Sequence, residues 1–284
     1  MGTDIDVELS RARDPARCFD AVRREFASAE ARLSRFLPSS ALARLNRGEP
    51  VADPVLALLV RLAIDAWRRT GGLFNPLVLP ALEAAGYDRS FEFVQGGEPA
   101  PLVPPEPDRA LFVRGDEVRL RAGRLDLGGL AKGWTAEHAA RRVSPLARGV
   151  LVNAGGDLVA CGAEDGGEGW VVAVEGPSGE VIWEGRWRGA LATSSTVRRR
   201  WATSSGETAH HLIDPRTGLP AASEFVQVTV AAKSAVDAEV WSKAILIRGS
   251  EALGRSAQLE GVLAVRDDGS VLRAGVFRAT SSGG

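Results

Sequence analysis

The sequence predicts an α+β fold on three observations. Two proline-started amphipathic helices open the chain, short strand-and-turn units fill its middle and its end, and the two kinds of element do not alternate as regular βαβ repeats. The 284 residues, 45% of them hydrophobic and 25% charged, are enough for a sizeable buried core. No internal repeat and no low-complexity linker divides them, so residues 1–284 are read as one domain.

The first helix starts at Asp14-Pro15, an N-cap acid followed by a proline at the first helical position. Phe19, Val22, Phe26, Ala29 and Leu33 recur at three- and four-residue spacing and predict its buried stripe. Asp53-Pro54 repeats the start signal; Val55, Leu58, Leu59, Leu62 and Ala66 carry the second stripe until Gly71-Gly72 stops it. Residues 96–107, rich in proline, glycine and glutamate, predict an exposed loop. Residues 111–113 and 117–120 bracket Gly115-Asp116 as a hairpin. A helical pattern covers 135–143, and further strands are expected at 149–153, 169–175, 181–187 and 226–232. A last hairpin pairs 261–265 with 271–274 around Asp267-Asp268-Gly269, and a helix over 236–248 ends at Gly249.

Bulk charge excludes some functions. The formal net charge is −1, which gives no global attraction to nucleic acid or to an anionic membrane. The short run Arg198-Arg199-Arg200 reads as a solvated face. Cys18 and Cys161 make neither a disulfide framework nor a metal cluster, and Cys18 lacks the apolar run of a lipid-attachment site. No stretch approaches the roughly 18 consecutive apolar residues of a membrane span, and no secretory apolar region opens the sequence. A cytoplasmic protein is the expectation.

Four segments carry candidate chemistry. Leu125-Asp126-Leu127-Gly128-Gly129-Leu130-Ala131-Lys132-Gly133-Trp134 leads into a helix. Glycines there let backbone N–H groups approach an anion, and a helix N-terminus and Lys132 add positive charge. Close helix–strand packing is the rival reason for those glycines, and the spacing is neither Walker nor Rossmann. Asn153-Ala154-Gly155-Gly156-Asp157 reads first as a tight turn, and Thr193-Ser194-Ser195-Thr196 as hydroxyls in a loop after the strand-like 189–192. His210-His211-Leu212-Ile213-Asp214-Pro215 places two of the three histidines before a rigid turn. An imidazole there suits proton abstraction from a hydroxyl, with Asp214 either orienting the His211 ring or bonding its own turn. Thr70-Gly71-Gly72-Leu73-Phe74-Asn75-Pro76 closes the second helix, and Phe74 either stacks on a flat ring or fills the core.

Taken in order, these segments resemble the ApbE family of FAD:protein FMN transferases. The resemblance runs from Met1-Gly2-Thr3 through Ser34-Arg35-Phe36, Ser40 and Leu45-Asn46. It continues through 70–76, 125–133, 153–157, Thr193-Ser194 and 211–220 to Val228-Thr229-Val230 and the helix at 238–249. It implies an α+β, T-fold-related mixed sheet with packed helices and an FAD cleft between lobes. It also implies the reaction: with Mg²⁺, FMN passes from FAD to a threonine hydroxyl of an acceptor flavoprotein and AMP leaves. By position, Phe36, Leu73, Phe74, Asn75, Asp126, Lys132 and Ile213 fall where the family contacts FAD, and His211 falls where a general base would act.

The same resemblance raises a question about the metal. The family's aspartate and, four residues on, threonine ligands align with Glu239 and Lys243, completed by the Gly129 carbonyl. A protonated lysine has no lone pair to donate. A shifted register through Asp237 and Ser242 spaces the ligands five apart, a poorer helical geometry. The expected metal residues are therefore Gly129, Glu239 and Ser242, with Lys243 as a candidate substitute for the cation's charge. FMN transfer is the leading expectation. FAD hydrolysis to FMN and AMP, and non-catalytic FAD binding, are the alternatives, Lys243 favouring the last and His211 the first two.

Overall fold

A strand that is apolar at nearly every position, such as Gly149–Ala154, needs cover on both faces, and this fold supplies it. The structure, a computed structural model, describes residues 3–255 and 258–278. Met1 and Gly2, part of the first segment of the family resemblance, lie outside the described residues. In chain order the first half contains β1 (Ile5–Ser10), α1 (Pro15–Leu33), α2 (Ala41–Asn46), β2 (Val51–Ala52), α3 (Pro54–Arg69), α4 (Leu79–Ala84), α5 (Pro107–Ala110), β3 (Leu111–Arg114), β4 (Glu117–Leu120) and α6 (Ala131–Val143). The second half contains β5 (Gly149–Ala154), β6 (Asp157–Gly162), β7 (Trp170–Glu175), β8 (Val181–Trp187), β9 (Gly189–Ser195), β10 (Arg200–Ala202), β11 (Thr208–His210), β12 (Ile213–Asp214), β13 (Leu219–Pro220), β14 (Phe225–Ala232), α7 (Ala235–Arg248), β15 (Gly261–Arg266) and β16 (Val271–Gly275).

Seven strands form one antiparallel sheet in the order β1-β5-β6-β9-β14-β15-β16. Side chains on one face (Val150 and Val152 of β5, Ala190 and Ala192 of β9, Val228 and Val230 of β14) pack with α1, α6 and α7. Those on the other face (Leu151, Leu191, Ala231) pack with Trp170, Val172, Val174 and Trp187 of the β7–β8 hairpin. A second apolar core joins α3 and the small β2-β4-β3 sheet to Leu125, Leu127 and Leu130 ahead of α6, and to Val236 and Val240 of α7. Helix α7 therefore lies between two cores and is buried nearly all round, its apolar residues spread over the whole circumference with Glu239 and Ser242 buried among them. Gly133 lets α6 approach it: a Cβ there would sit 3.2 Å from the Ala235 Cβ and from the Glu239 Cγ.

The α+β expectation and the long elements are borne out, with local corrections. In α1 the buried stripe includes Cys18 and Ala21, and Phe19 is 40% exposed; the stripe from Cys18 runs at three- and four-residue steps, leaving Phe19 about 100° round the helix. The buried face of α3 is likewise Leu56, Ala57, Leu59, Val60, Ala63 and Ala66, with Leu58 turned outward. Helix α6 begins at Ala131, four residues before the predicted start, so Lys132 belongs to its first turn. Strand β9 continues to Ser195, which puts Thr193, Ser194 and Ser195 on a sheet strand rather than a loop. Strands β1 and β6 are additions to the expected set: β1 alternates apolar and polar residues over only six positions, and β6 is a four-residue apolar run at 158–161 between glycines. Asn153–Asp157 is the tight turn of the β5–β6 hairpin, with Gly155 and Gly156 both at positive φ. Among the described residues no helix is long and apolar enough to cross a membrane.

Candidate active site

The residues singled out in the sequence converge on one cleft of about 560 Å³. Phe36, Leu73, Phe74, Asn75, Asp126, Gly129, Lys132, His211, Ile213 and Lys243 all line it. Glu239 and Ser242 do not; both are fully buried within α7.

One group of lining residues is aromatic. Ser40 caps α2 and holds the preceding turn by donating to the Ser34 carbonyl, which presents Arg35 and Phe36. The Arg35 guanidinium lies 4.3 Å from the Phe36 ring centroid and 4.5 Å from that of Tyr87. It donates to the Tyr87 carbonyl at 2.9 Å and pairs with Asp126 at 3.3 Å. Asp126 also accepts from the Gly128 N–H at 2.6 Å, which shapes the glycine turn. Phe91 and Trp201 extend the ring cluster around Tyr87. Phe74 is both a core residue and part of the lining, so the two readings of it coexist. Asn75 has its amide committed to the Pro105 carbonyl and the Leu77 N–H, so it shapes the wall.

The other group is charged and lies where α6, α7 and the β5–β6 turn meet. Lys132 pairs with Asp157 and, at 2.9 Å, with Glu239, whose same oxygen accepts the Gly133 N–H at 3.2 Å. Burial alone would lower the Lys132 pKa, but these two carboxylates more than reverse that and hold it above the ordinary lysine value. Burial and the neighbouring Glu239 charge push the Asp157 carboxyl up. Burial acts the same way on Glu239, yet Lys132 and Lys243 hold it below the usual carboxylate range. Among the described residues Glu239 Oε2 has no hydrogen-bond partner. Two lysines and two carboxyl groups therefore share this corner of the cleft.

His211 sits opposite that charge. Burial, then the positive charges of Arg199 and Lys243, lower its pKa to about 3, so the ring is neutral at pH 7. Its ring partner is the Arg199 carbonyl, at a long 3.5 Å, which can only accept; Nδ1 then carries the hydrogen and Nε2 keeps the lone pair. Asp214 does not orient it. That carboxylate holds the Arg216 side chain through both oxygens and the Arg216 N–H, which closes its own turn. His210 is structural, bonded to the Ala221 carbonyl at 3.0 Å and accepting the Leu212 N–H. The arginine run is not simply a solvated face, because Arg198 and Arg199 line the cleft.

The expected metal residues do not assemble a divalent-cation shell. Ser242 spends its hydroxyl on Ser194, at 2.8 Å, and on the Glu239 carbonyl. Glu239 Oε1 is taken by Lys132 and Gly133. The Lys243 stem lies against Gly129, its Cε 3.3 Å from where a Cβ on that glycine would be, so an ammonium shares the space beside the expected carbonyl ligand. Among the described residues no group of three or more His, Cys, Asp or Glu side chains is placed to hold a metal. Asp237 pairs with Arg69, 2.7 Å away.

Sequence reasoning missed Arg35, Tyr87, Asp157 and Arg199 as site residues. Tyr87 is the one tyrosine of the chain, but nothing around it repeats at a recognisable spacing. Asp157 was hidden by the glycine turn that precedes it.

Comparison with known proteins gives the family and the fold. The sequence matches the ApbE family over residues 1–265, and the chain belongs to that family. It is 29% identical to the FAD:protein FMN transferase of Salmonella typhimurium, over 81% of this chain and 71% of that protein. It is 27% identical to the one of Treponema pallidum, over 88% and 77%. The fold matches the ApbE protein of Thermotoga maritima with a TM-score of 0.84 at 24% identity, covering 96% of this chain and 94% of that one. The flavinyl transferase ApbE of Pseudomonas stutzeri matches with a TM-score of 0.81 at 22% identity, over 96% and 91%.

Proposed function

We propose that this protein is an FAD:protein FMN transferase, moving FMN from FAD to a threonine hydroxyl of an acceptor flavoprotein and releasing AMP. The observation that carries the reading is the placement of a neutral, half-buried His211 in one cleft with two lysines and an aromatic wall. A flat ring system suits Phe36 and its neighbours, and a pyrophosphate suits Lys132 and Lys243. The family relatives that bear the transferase name support the same assignment.

In this reaction the acceptor oxygen forms a bond to the FMN phosphorus, the bond from that phosphorus to the bridging oxygen breaks, and the bridge leaves with AMP. The acceptor hydroxyl proton passes to His211 Nε2, which needs no prior deprotonation at neutral pH. Lys132 and Lys243 stabilise the negative charge that gathers on the phosphoryl and bridging oxygens, in a site where burial makes each charge count for more than in water. Asp157 and Glu239 fix Lys132 through paired contacts, which makes them positioning residues. No step is routed through a metal, because the donor set described above does not suit one.

The test is mass spectrometry of a threonine-containing acceptor domain incubated with this protein and FAD, beside His211→Ala. An FMN-sized mass increase on the threonine, lost in the variant, is the expected result. AMP appearing with no acceptor adduct would move the assignment to FAD hydrolysis, and tight FAD binding with neither product would move it to flavin binding alone.

A further inference from the structure

We propose that the Lys243 ammonium takes the role a divalent cation would otherwise have beside Gly129, so that this chain holds the pyrophosphate of FAD without a metal. The inference rests on the transferase reading for the identity of the ligand and on this chain's own geometry for the rest.

Lys243 lies on α7 one turn beyond Glu239, and among the described residues its hydrogen bond is a long one, 3.3 Å, to the Glu239 backbone carbonyl. Among the described residues no carboxylate lies within ion-pair distance of it, whereas Lys132 on α6 has two. Its stem is laid along Gly129 and its head lines the cleft beside His211. A half-buried ammonium with no carboxylate in direct contact is costly unless an anion completes it. The cleft offers room for one, and the class of anion that fits between two lysines and a glycine turn is a phosphate diester or pyrophosphate.

The same geometry opposes a metal at that place. A divalent cation beside Gly129 would meet the Lys243 charge at short range. It would also have only Glu239 Oε2 on that carboxylate, Oε1 being held by Lys132 and Gly133, and would have to take Ser242 from Ser194. Glycine at 129 is itself part of the arrangement: a Cβ there would crowd both the Lys243 stem and the Phe74 ring, 3.0 Å away.

The experiment uses the intact protein and two readouts that do not depend on turnover. FAD affinity is followed by flavin fluorescence in EDTA and in millimolar Mg²⁺, and Mn²⁺ binding to the FAD-free and FAD-loaded protein is followed by electron paramagnetic resonance. The expected results are an FAD affinity unchanged within about twofold between the two buffers and no stoichiometric Mn²⁺. Lys243→Met should weaken FAD by about tenfold or more in both buffers, as removal of a buried charge–phosphate contact does. Lys243→Arg should keep most of the affinity, which shows that the fold tolerates change there. An FAD affinity that collapses in EDTA, one Mn²⁺ bound per chain, or a Lys243→Met protein that binds FAD as tightly as the parent would each overturn the proposal. Absence of FAD binding in both buffers would instead remove the flavin reading, and this inference with it.

Discussion

His211 owes its chemistry to burial. A histidine in water is half protonated near pH 6.5, and this one is held neutral down to about pH 3 by desolvation and by the charges of Arg199 and Lys243. A base with the ordinary value would lose about tenfold in rate between pH 7.5 and 5.5. Transfer at saturating FAD is therefore expected to change by less than about twofold over that range, and a tenfold fall would show that the ring titrates normally. His211→Ala should lower the rate by about 10²-fold or more while leaving FAD affinity within a few-fold, read by single-turnover kinetics and flavin fluorescence. Arg35 is the structural counterpart. Its side chain is 8% exposed, and the guanidinium bridges the Phe36 and Tyr87 rings and pairs with Asp126. Arg35→Met keeps most of the stem but leaves Asp126 partly buried beside Gly128 alone. The expected cost is about 3 kcal/mol in urea denaturation, with weaker FAD binding. A shift of the midpoint equivalent to less than about 0.5 kcal/mol would place the pair among ordinary surface contacts.

At the scale of elements, the site depends on how closely α6 and α7 pack. Gly133 is the contact point, and Glu137 of α6 caps the start of α7 by accepting the Ala235 N–H at 2.8 Å. Gly133→Val adds branched carbon where a single Cβ already sits 3.2 Å from Ala235 and Glu239. It should cost about 2 kcal/mol and, by displacing Glu239 from Lys132, weaken FAD binding more than an equal loss of stability elsewhere would. A variant that loses stability with no change in FAD affinity would break that link between packing and site. The same elements show what was legible beforehand. Proline starts, glycine stops and three- or four-residue apolar spacing located α1, α3 and α7 because those signals are local. The exact buried face was harder, since a neighbour such as α6 decides whether Cys18 or Phe19 turns inward. Lys132 and His211 stood out because rare or charged residues sat in glycine- and proline-marked turns. Asp157, Arg35 and Arg199 did not, because each acquires its role from partners far away in sequence: Asp157 from Lys132, Arg35 from Tyr87, Arg199 from His211 and the cleft.

For the whole molecule, one cleft couples ligand, charge and stability. FAD at about a hundred times its dissociation constant should stabilise the protein by about 2.7 kcal/mol, a rise of roughly 5 °C in the thermal midpoint for a chain of this size. Acid should act in the opposite direction, and the sign follows from the depressed histidine. Between about pH 6.5 and 3 the unfolded chain binds a proton at position 211 that the folded chain does not, so unfolding is favoured as pH falls. The stability due to a neutral His211 is fully present above about pH 6.5 and erodes steadily below it. His210, also depressed by burial, adds in the same direction. Carboxylates titrate in this range too, so the parent alone cannot isolate the effect, but a comparison with His211→Gln does. Guanidinium denaturation of both proteins at pH 7.5 and 4.5 should show the parent losing about 2 kcal/mol more than the variant over that interval. Equal losses would mean that the folded cleft admits a protonated His211 without penalty, and the neutral general base on which the transfer mechanism depends would have to be given up.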